Sequence, residues 1–431
     1  MMVRTHTQKE RTTGDRNQAR RNDPNPLAWK DITLQRRHSR SDDEMSLPTR
    51  APGISSTMKL QVFSGTHHDM GIQQGKANRE LLHRILEQAP KLEAVKDMKP
   101  RMLPTALFLS IAKRRAIQLL ENDIAEYYPE QAKRLRGISE GSRIGIGWAY
   151  FMQAMEFLPS FGPSDYKLQA CTAMGFSPNR STTRETIVAK NFDYPNEFAT
   201  FQLTCESKPD KRYRTLGCTM APLAGMLDGM NEHGLTVTYN LAFTTDTPEN
   251  HAPLSMALQE MLETCKTTEQ AVKFMTEAKR GGHDALLLIA DSEGTMKTVE
   301  ISSNHAETRE PINGQIINTN HYQTAKMQKH EIPHNAMVVM RGNRFRLRES
   351  SEHRLVRAQE LLQGTSEVNE ETMVRILRDH GKENRPSDLT ICRHHQISST
   401  LRSVLFYPDR KTIKVLYGNP CQSEYAEFIF G

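Results

Sequence analysis

A change of hydrophobic period near residue 171 constrains the fold of this chain more than any other feature. Residues 58–63 alternate apolar and polar side chains and read as a strand. Gly65, Gly71 and Gly75 follow, ahead of a helical pattern through Leu81, Leu82, Ile85 and Leu86. Helical spacing returns over residues 106–127. It appears again over 130–139 after Pro129, with Leu135 and Ile138 on one face, and a glycine-punctuated loop then runs into an apolar helix ending near 158. From Cys171 onward the pattern is β-rich. Strands are predicted at 171–176, 186–190, 201–206, 213–220 and 235–240. Helices are predicted at 254–265 and 268–278, the second capped by Thr267 or Thr268. Strands resume at 285–290, 295–301 and 315–318. Helices follow at 351–363 and 369–380, and strands at 399–407 and 412–417 close the chain. Two strand groups separated by helix pairs, without regular βαβ alternation and without an internal repeat, predict a layered α+β domain.

The stretch from Gln169 to Tyr194 is the most informative within that pattern. A polar turn over 177–184 lies between two β-rich runs, which makes a hairpin. Such a hairpin places Cys171, at the start of one strand, beside Asn191 and Asp193, at the end of the other. A thiol there meets an amide and a carboxylate. Taken alone, a cysteine usually only packs, and Asp193 before Tyr194-Pro195 equally suits a turn carboxylate.

Bulk properties exclude several classes. The 431 residues suffice for one large or two to three smaller domains. No apolar run reaches the length of a membrane span, and 102–111 is broken by Pro104 and followed by Lys113-Arg114-Arg115. The N-terminus carries no apolar secretory core. Six irregularly spaced cysteines suggest free thiols in a reducing, cytoplasmic setting. The formal charge of +6 is concentrated in residues 1–57, where eleven Lys/Arg against seven Asp/Glu leave +4 and only +2 for the remainder. A basic groove with interleaved aromatics is not visible, so nucleic acid is not an expected partner. Residues 1–57 are polar, lack apolar periodicity and read as a disordered tail. Met58 begins the organised chain, and Arg36-Arg37-His38-Ser39-Arg40 reads as solvated tail in preference to a basic patch for an acidic partner. Cys392-Arg393-His394-His395 resembles part of a metal site, but no second CxxC or HxxxH pair accompanies it. Packing is the expected role, and no metal or cofactor is predicted.

Taken together, these motifs resemble the acyl-coenzyme A:6-aminopenicillanic acid acyltransferase (C45 peptidase) family of N-terminal nucleophile (Ntn) hydrolases. The marks are Met70-Gly71-(x)2-Gln74-Gly75, Leu135-(x)-Gly137-Ile138-(x)-Glu140-Gly141, Cys171-Thr172, Asn191-Phe192-Asp193 and Asn231-Glu232-His233-Gly234-Leu235. Further on stand Asn240, Thr319-Asn320-His321, Ser351-(x)2-Arg354, Ile391-Cys392-Arg393-His394 and Gly418-Asn419-Pro420-Cys421. The resemblance implies an αββα four-layer Ntn sandwich preceded by a helical pro-region. It implies a precursor that cuts its own Ala170–Cys171 bond, giving residues 1–170 as a smaller α chain, with its helical pro-region over 58–170, and a catalytic β chain over 171–431 that stay associated. Cys171 is then the nucleophile and its freed α-amine the base. Asp193 orients that amine and Arg354 supplies a cation near the thiol. Asn240 and Asn320 donate to the oxyanion, and Asn191 supports the site. On the residues alone, Arg354 beside Arg357 also suits a surface arginine, and both asparagines suit turns. The implied substrate is a small-molecule amide or acyl thioester, with hydrolysis the default over transfer. Two other readings stay open: an uncleaved, non-catalytic binding protein with this fold, and a papain-like peptidase using Cys171 with His321. The oligomeric state stays open.

Overall fold

The computed structural model describes residues 59–430 apart from 93–94, 97–98, 101, 155, 157–168, 247–250, 282–283, 341–342 and 396–397. The tail read over 1–57 lies outside the described residues.

Two sheets dominate. The first has eight strands in the spatial order Gln61–Gly65, Gln202–Pro209, Thr215–Met220, Asp228–Asn231, Thr236–Leu241, Ala285–Ala290, Met296–Ile301 and Ala306–Arg309. Its first pair is parallel and the others are antiparallel. The second sheet has six antiparallel strands in the order Gln315–Asn318, Ala170–Phe176, Ile187–Pro195, Ser398–Tyr407, Thr412–Tyr417 and Ala426–Ile429. The edge strands Ala306–Arg309 and Ala426–Ile429 escape a sequence reading because each is only four residues long, too short to show a period. Pairing, not composition, makes them strands.

Side-chain alternation sorts the two faces of each sheet into layers. Leu216, Met230, Leu288 and Met296 of the first sheet pack against Ala173, Val188, Val404, Phe406 and Val415 of the second, so the sheets meet face to face. On the far side of the first sheet, Val237, Leu287, Ile289 and Val299 share a cluster with Met256 and Leu262 of helix Leu254–Thr264 and with Met275 of Thr268–Glu277. On the far side of the second, Met174, Ala189 and Leu405 pack against Ala358 and Leu362 of helix Glu349–Leu362 and Met373 and Ile376 of Glu370–Leu377. The result is an αββα sandwich.

The described residues before 170 are mainly helical, as their spacing predicts, and they add the edge strand Gln61–Gly65 to the first sheet. One expectation needs correction. Gly71 and Gly75 do not precede the first helix but lie inside it, in His67–Ala77, capped by Thr66. The reason is close packing against helix Pro129–Ser142. A Cβ at Gly71 would stand 2.1 Å from the Arg134 carbonyl oxygen, and one at Gly141 2.2 Å from that of Ile72. The backbones approach through glycines on both helices, and that approach outweighs the poor helix propensity of glycine. Between those glycines, Gln74 donates to the carbonyls of Leu223 at 3.0 Å and Ala221 at 3.4 Å, tying the helix pair to the loop beside Cys171.

Candidate active site

The hairpin forms as its turn chemistry predicts, with Ala170 opposite Asp193 and Cys171 opposite Phe192. Cys171 is buried, and its backbone N–H donates to Asn320 Oδ1 at 2.9 Å. Arg354, on helix Glu349–Leu362, donates to the Cys171 carbonyl, to Thr172 Oγ1 at 2.9 Å and to Asn320 Oδ1 at 2.8 Å. Burial draws the Arg354 pKa down to about 10, so the guanidinium stays charged at neutral pH. Arg354 therefore grips the backbone around Cys171.

A bulge in strand Ser398–Tyr407 sets the environment of Asp193. Arg402 pairs with Phe192 and Thr400 with Asp193, so Leu401 is the extra residue. Thr400 and Arg402 consequently face opposite sides of the sheet. Thr400 Oγ1 donates to Asp193 Oδ1 at 2.7 Å. Asp193 Oδ2 is buried with no hydrogen-bond partner among the described residues. Burial pushes the Asp193 pKa up, against the opposing charges of Arg354 and Arg393.

The two asparagines expected at an oxyanion are differently occupied. Asn240 Nδ2 donates to the carbonyls of Asn318 at 3.1 Å and Thr319 at 3.0 Å, leaving its buried Oδ1 without a partner among the described residues. Asn320 Nδ2 donates to the Leu241 carbonyl at 2.7 Å, and its Oδ1 faces Cys171. Both neighbours of that oxygen are donors, which fixes the amide orientation. Asn191 donates to the carbonyls of Leu377 and Ile391 and joins the sheet to the flanking segments. His321 Nδ1 lies 2.7 Å from Ser351 Oγ, which also accepts the Asn320 N–H at 2.7 Å. Burial lowers the His321 pKa to about 4.

A second buried cluster escaped the sequence reading. Lys190 Nζ lies 2.6 Å from Asp228 Oδ1, and Arg402 Nη2 lies 2.6 Å from Asp228 Oδ2. Lys190 also donates to the Tyr239 carbonyl, and Arg402 to Gln202 Oε1 at 2.6 Å. Burial pushes the Cys171 thiol upward, and the Lys190 charge opposes this more than Arg354 does. The available signal was Lys190 itself, an ionic residue between Val188 and Phe192 on the inward face of a strand.

Cys171 and Asp193 line a cleft with about 750 Å³ of empty space, its open mouth included. Its walls are Phe192, Phe198, Phe201, Leu223, Leu227 and Tyr239 among other apolar groups, with Glu156 as an acidic exception. Burial pushes Glu156 up to about 7, although Ser255 and Gln153 donate to it. A smaller, more polar cavity is lined by Ala170, Asn320, Arg354 and Arg393; Gln169 lines both. The bond before Cys171 thus lies between an apolar and a polar cavity. Two further clusters have ligand atoms close enough for a metal: His380, Cys392, His394 and Cys421, and Asp246, His305 and His330. The first gathers residues far apart in sequence around the Cys392-Arg393-His394 fragment. Among the described residues no helix is long and apolar enough to cross a membrane.

The family model for acyl-coenzyme A:6-aminopenicillanic acid acyl-transferase matches residues 180–422, more than half of the chain. Asp193, Asn240, Asn320 and Arg354 fall inside the match and Cys171 just before it. No curated protein matches in sequence. Similar solved structures include a mutant of the conjugated bile acid hydrolase from Clostridium perfringens, with 13% identity and a TM-score of 0.39 over 60% of this chain and 97% of that one. A Caenorhabditis elegans N-acylethanolamine-hydrolyzing acid amidase ortholog has 15% identity and a TM-score of 0.39 over 61% and 100%. The penicillin V acylase from Agrobacterium tumefaciens has 13% identity and a TM-score of 0.31 over 57% and 83%.

Proposed function

Because the chain belongs to the acyl-coenzyme A:6-aminopenicillanic acid acyltransferase family, we propose that it is a self-processing amide hydrolase or acyltransferase whose nucleophile is Cys171. In processing, Cys171 Sγ attacks the Ala170 carbonyl carbon and the peptide C–N bond breaks, leaving Ala170 as a thioester. Water hydrolyses that thioester, which frees the Ala170 carboxylate, the thiol and the Cys171 α-amine. In turnover, the α-amine, with a reference pKa of about 7.7–8.0, takes the thiol proton. The thiolate attacks the substrate carbonyl, and the resulting ammonium protonates the departing amine. Water or an acceptor amine then releases the acyl group from sulfur. Hydrolysis is the default because water needs no acceptor pocket.

The observation that carries this reading is the unpartnered, buried Asp193 Oδ2 at the sheet edge beside Cys171, whose N–H and carbonyl Asn320 and Arg354 already hold. A carboxylate oxygen buried without a donor is costly, and an α-ammonium there would satisfy it by a charge-assisted bond. The apolar cleft supports a substrate with an apolar acyl group, aromatic or aliphatic. The strand Gln61–Gly65, paired along its whole length with Gln202–Pro209, supports the two fragments staying together after cleavage. Six free cysteines suit a reducing compartment such as the cytoplasm.

Intact mass of the purified wild type and of Cys171→Ala tests the proposal. The expected result is two fragments in wild type only, the larger beginning at Cys171, with turnover of an apolar acyl amide lost in the variant. One 49.1 kDa chain in both, with equal behaviour towards substrate, would mean an uncleaved binding protein instead.

A further inference from the structure

We infer that His380, Cys392, His394 and Cys421 form a structural zinc site behind the second sheet. The four ligand atoms lie within 4.8 Å of one another. His394 Nε2 is 3.3 Å from Cys392 Sγ and 3.3 Å from Cys421 Sγ. Tetrahedral zinc with bonds of about 2.3 Å to sulfur and 2.0–2.1 Å to nitrogen separates its ligand atoms by roughly 3.3–3.8 Å. Two edges of that tetrahedron are therefore nearly in place. Small side-chain rotations would draw in the others. The His380 and His394 rings stand edge to face with centroids 5.0 Å apart. His380 Nε2 is buried with no hydrogen-bond partner among the described residues, a polar atom lacking the contact that such burial demands.

The donor set selects the ion. Two thiols and two imidazoles in a tetrahedral arrangement suit zinc, and four protein ligands leave no open position for chemistry. On binding, the ion replaces one proton on each thiol. Both protons pass to solvent, and two thiolates balance the double charge. The backbone around the cluster is independently fastened. Cys392 N–H donates to the Asp379 carbonyl at 3.0 Å, Arg378 Nε to that of Pro420 at 2.7 Å, and Asn419 Nδ2 to that of Arg393 at 2.8 Å. Three segments distant in sequence are thus held with their ligands converging.

The position gives the ion a task. Arg393, between two of the ligands, exchanges hydrogen bonds with Thr400: its N–H donates to Thr400 Oγ1 at 3.0 Å and its carbonyl accepts the Thr400 N–H at 3.0 Å. Thr400 in turn holds Asp193. Zinc would fix the loop that backs the carboxylate of the candidate active site.

The test is metal analysis of the full-length chain purified under reducing conditions, with Cys421→Ser and His380→Ala alongside. Wild type is expected to carry one zinc per chain, and each variant less than a tenth of that. After exchange, cobalt(II) should give the visible absorption of a tetrahedral thiolate site, and chelation should lower the thermal midpoint. Cys171→Ala should load zinc like wild type, which separates this site from the processing reaction. The inference is overturned if the reduced apo-protein fails to take zinc from a micromolar-affinity chelating dye. It is equally overturned if both variants retain the metal, or if the native mass is lighter by two hydrogens that map to a Cys392–Cys421 disulfide.

Discussion

Two buried polar clusters lie close to Cys171, and they differ in how completely they are satisfied. In the first, Asp228 bonds with both Lys190 and Arg402, one carboxylate oxygen to each, and Tyr239 and Gln202 accept further bonds from them, so that both carboxylate oxygens are met although Arg402 Nε has no partner among the described residues. In the second, Asp193 Oδ2, Asn240 Oδ1 and Asn191 Oδ1 are buried without partners among the described residues. The first bridges the two sheets, and its charges answer one another. The second has capacity left over, which the proposed α-ammonium or a reacting group would fill. A satisfied cluster holds a fold, whereas an unsatisfied one costs stability and needs a use.

Breaking the first cluster should therefore act on stability. Asp228→Ala would leave Lys190 and Arg402 buried without their counter-charge, at a cost of about 3–5 kcal/mol. Denaturant unfolding measures it; an unchanged midpoint would mean that the two cations find other partners. Breaking the second should act on chemistry instead. Asp193→Asn is expected to slow processing and turnover by about 100- to 10,000-fold. It should leave stability at pH 7 equal to or above wild type. The sign follows from linkage: the folded pKa is raised above the unfolded value, so Asp193 disfavours the folded state as pH rises from the unfolded value through the folded one, and Asn removes that penalty. Marked destabilisation of this variant would erase the contrast between the clusters.

A smaller effect tests the apolar cleft. Glu156 has its pKa pushed up to about 7, so it is neutral below that pH and anionic above it. KM for an apolar acyl amide should rise several-fold between about pH 6 and pH 8 as a charge appears in the wall. Glu156→Gln should flatten the rise without moving the pH dependence of kcat. The smallest effect concerns His321. Its Nδ1 rests on Ser351, and its lowered pKa makes it a poor proton acceptor at neutral pH. His321→Ala should cost about 1 kcal/mol of stability and keep self-cleavage and turnover. Loss of both would favour a Cys171–His321 pair.

Much of the architecture was legible because local period decides local structure. The hairpin around Cys171, the helix over 105–127 and the Thr267 cap followed from alternation, spacing and capping chemistry. Gly71 and Gly75 were misread for the converse reason. A glycine signals a break until a second glycine-bearing helix packs on it, and that partner lies more than fifty residues away. Within the candidate site, Cys171, Asp193 and Asn320 were singled out from a motif and its order along the chain. Lys190 was not, because its counter-charge, Asp228, arrives from a strand 38 residues further along the chain.

The sequence by itself determined the layered α+β class, most of the strand and helix order, and the hairpin whose strands hold Cys171 and Asp193. These depend on periodicity and turn residues, which act over a few positions. Only the tertiary structure decided where the polar groups meet. The Leu401 bulge turns Thr400 to Asp193 and Arg402 to Asp228. Folding also brings His380 and Cys421 to the Cys392-Arg393-His394 fragment. One extra residue in a strand reverses which face every later side chain takes, and that register is set by pairing with a distant strand rather than by the residues themselves.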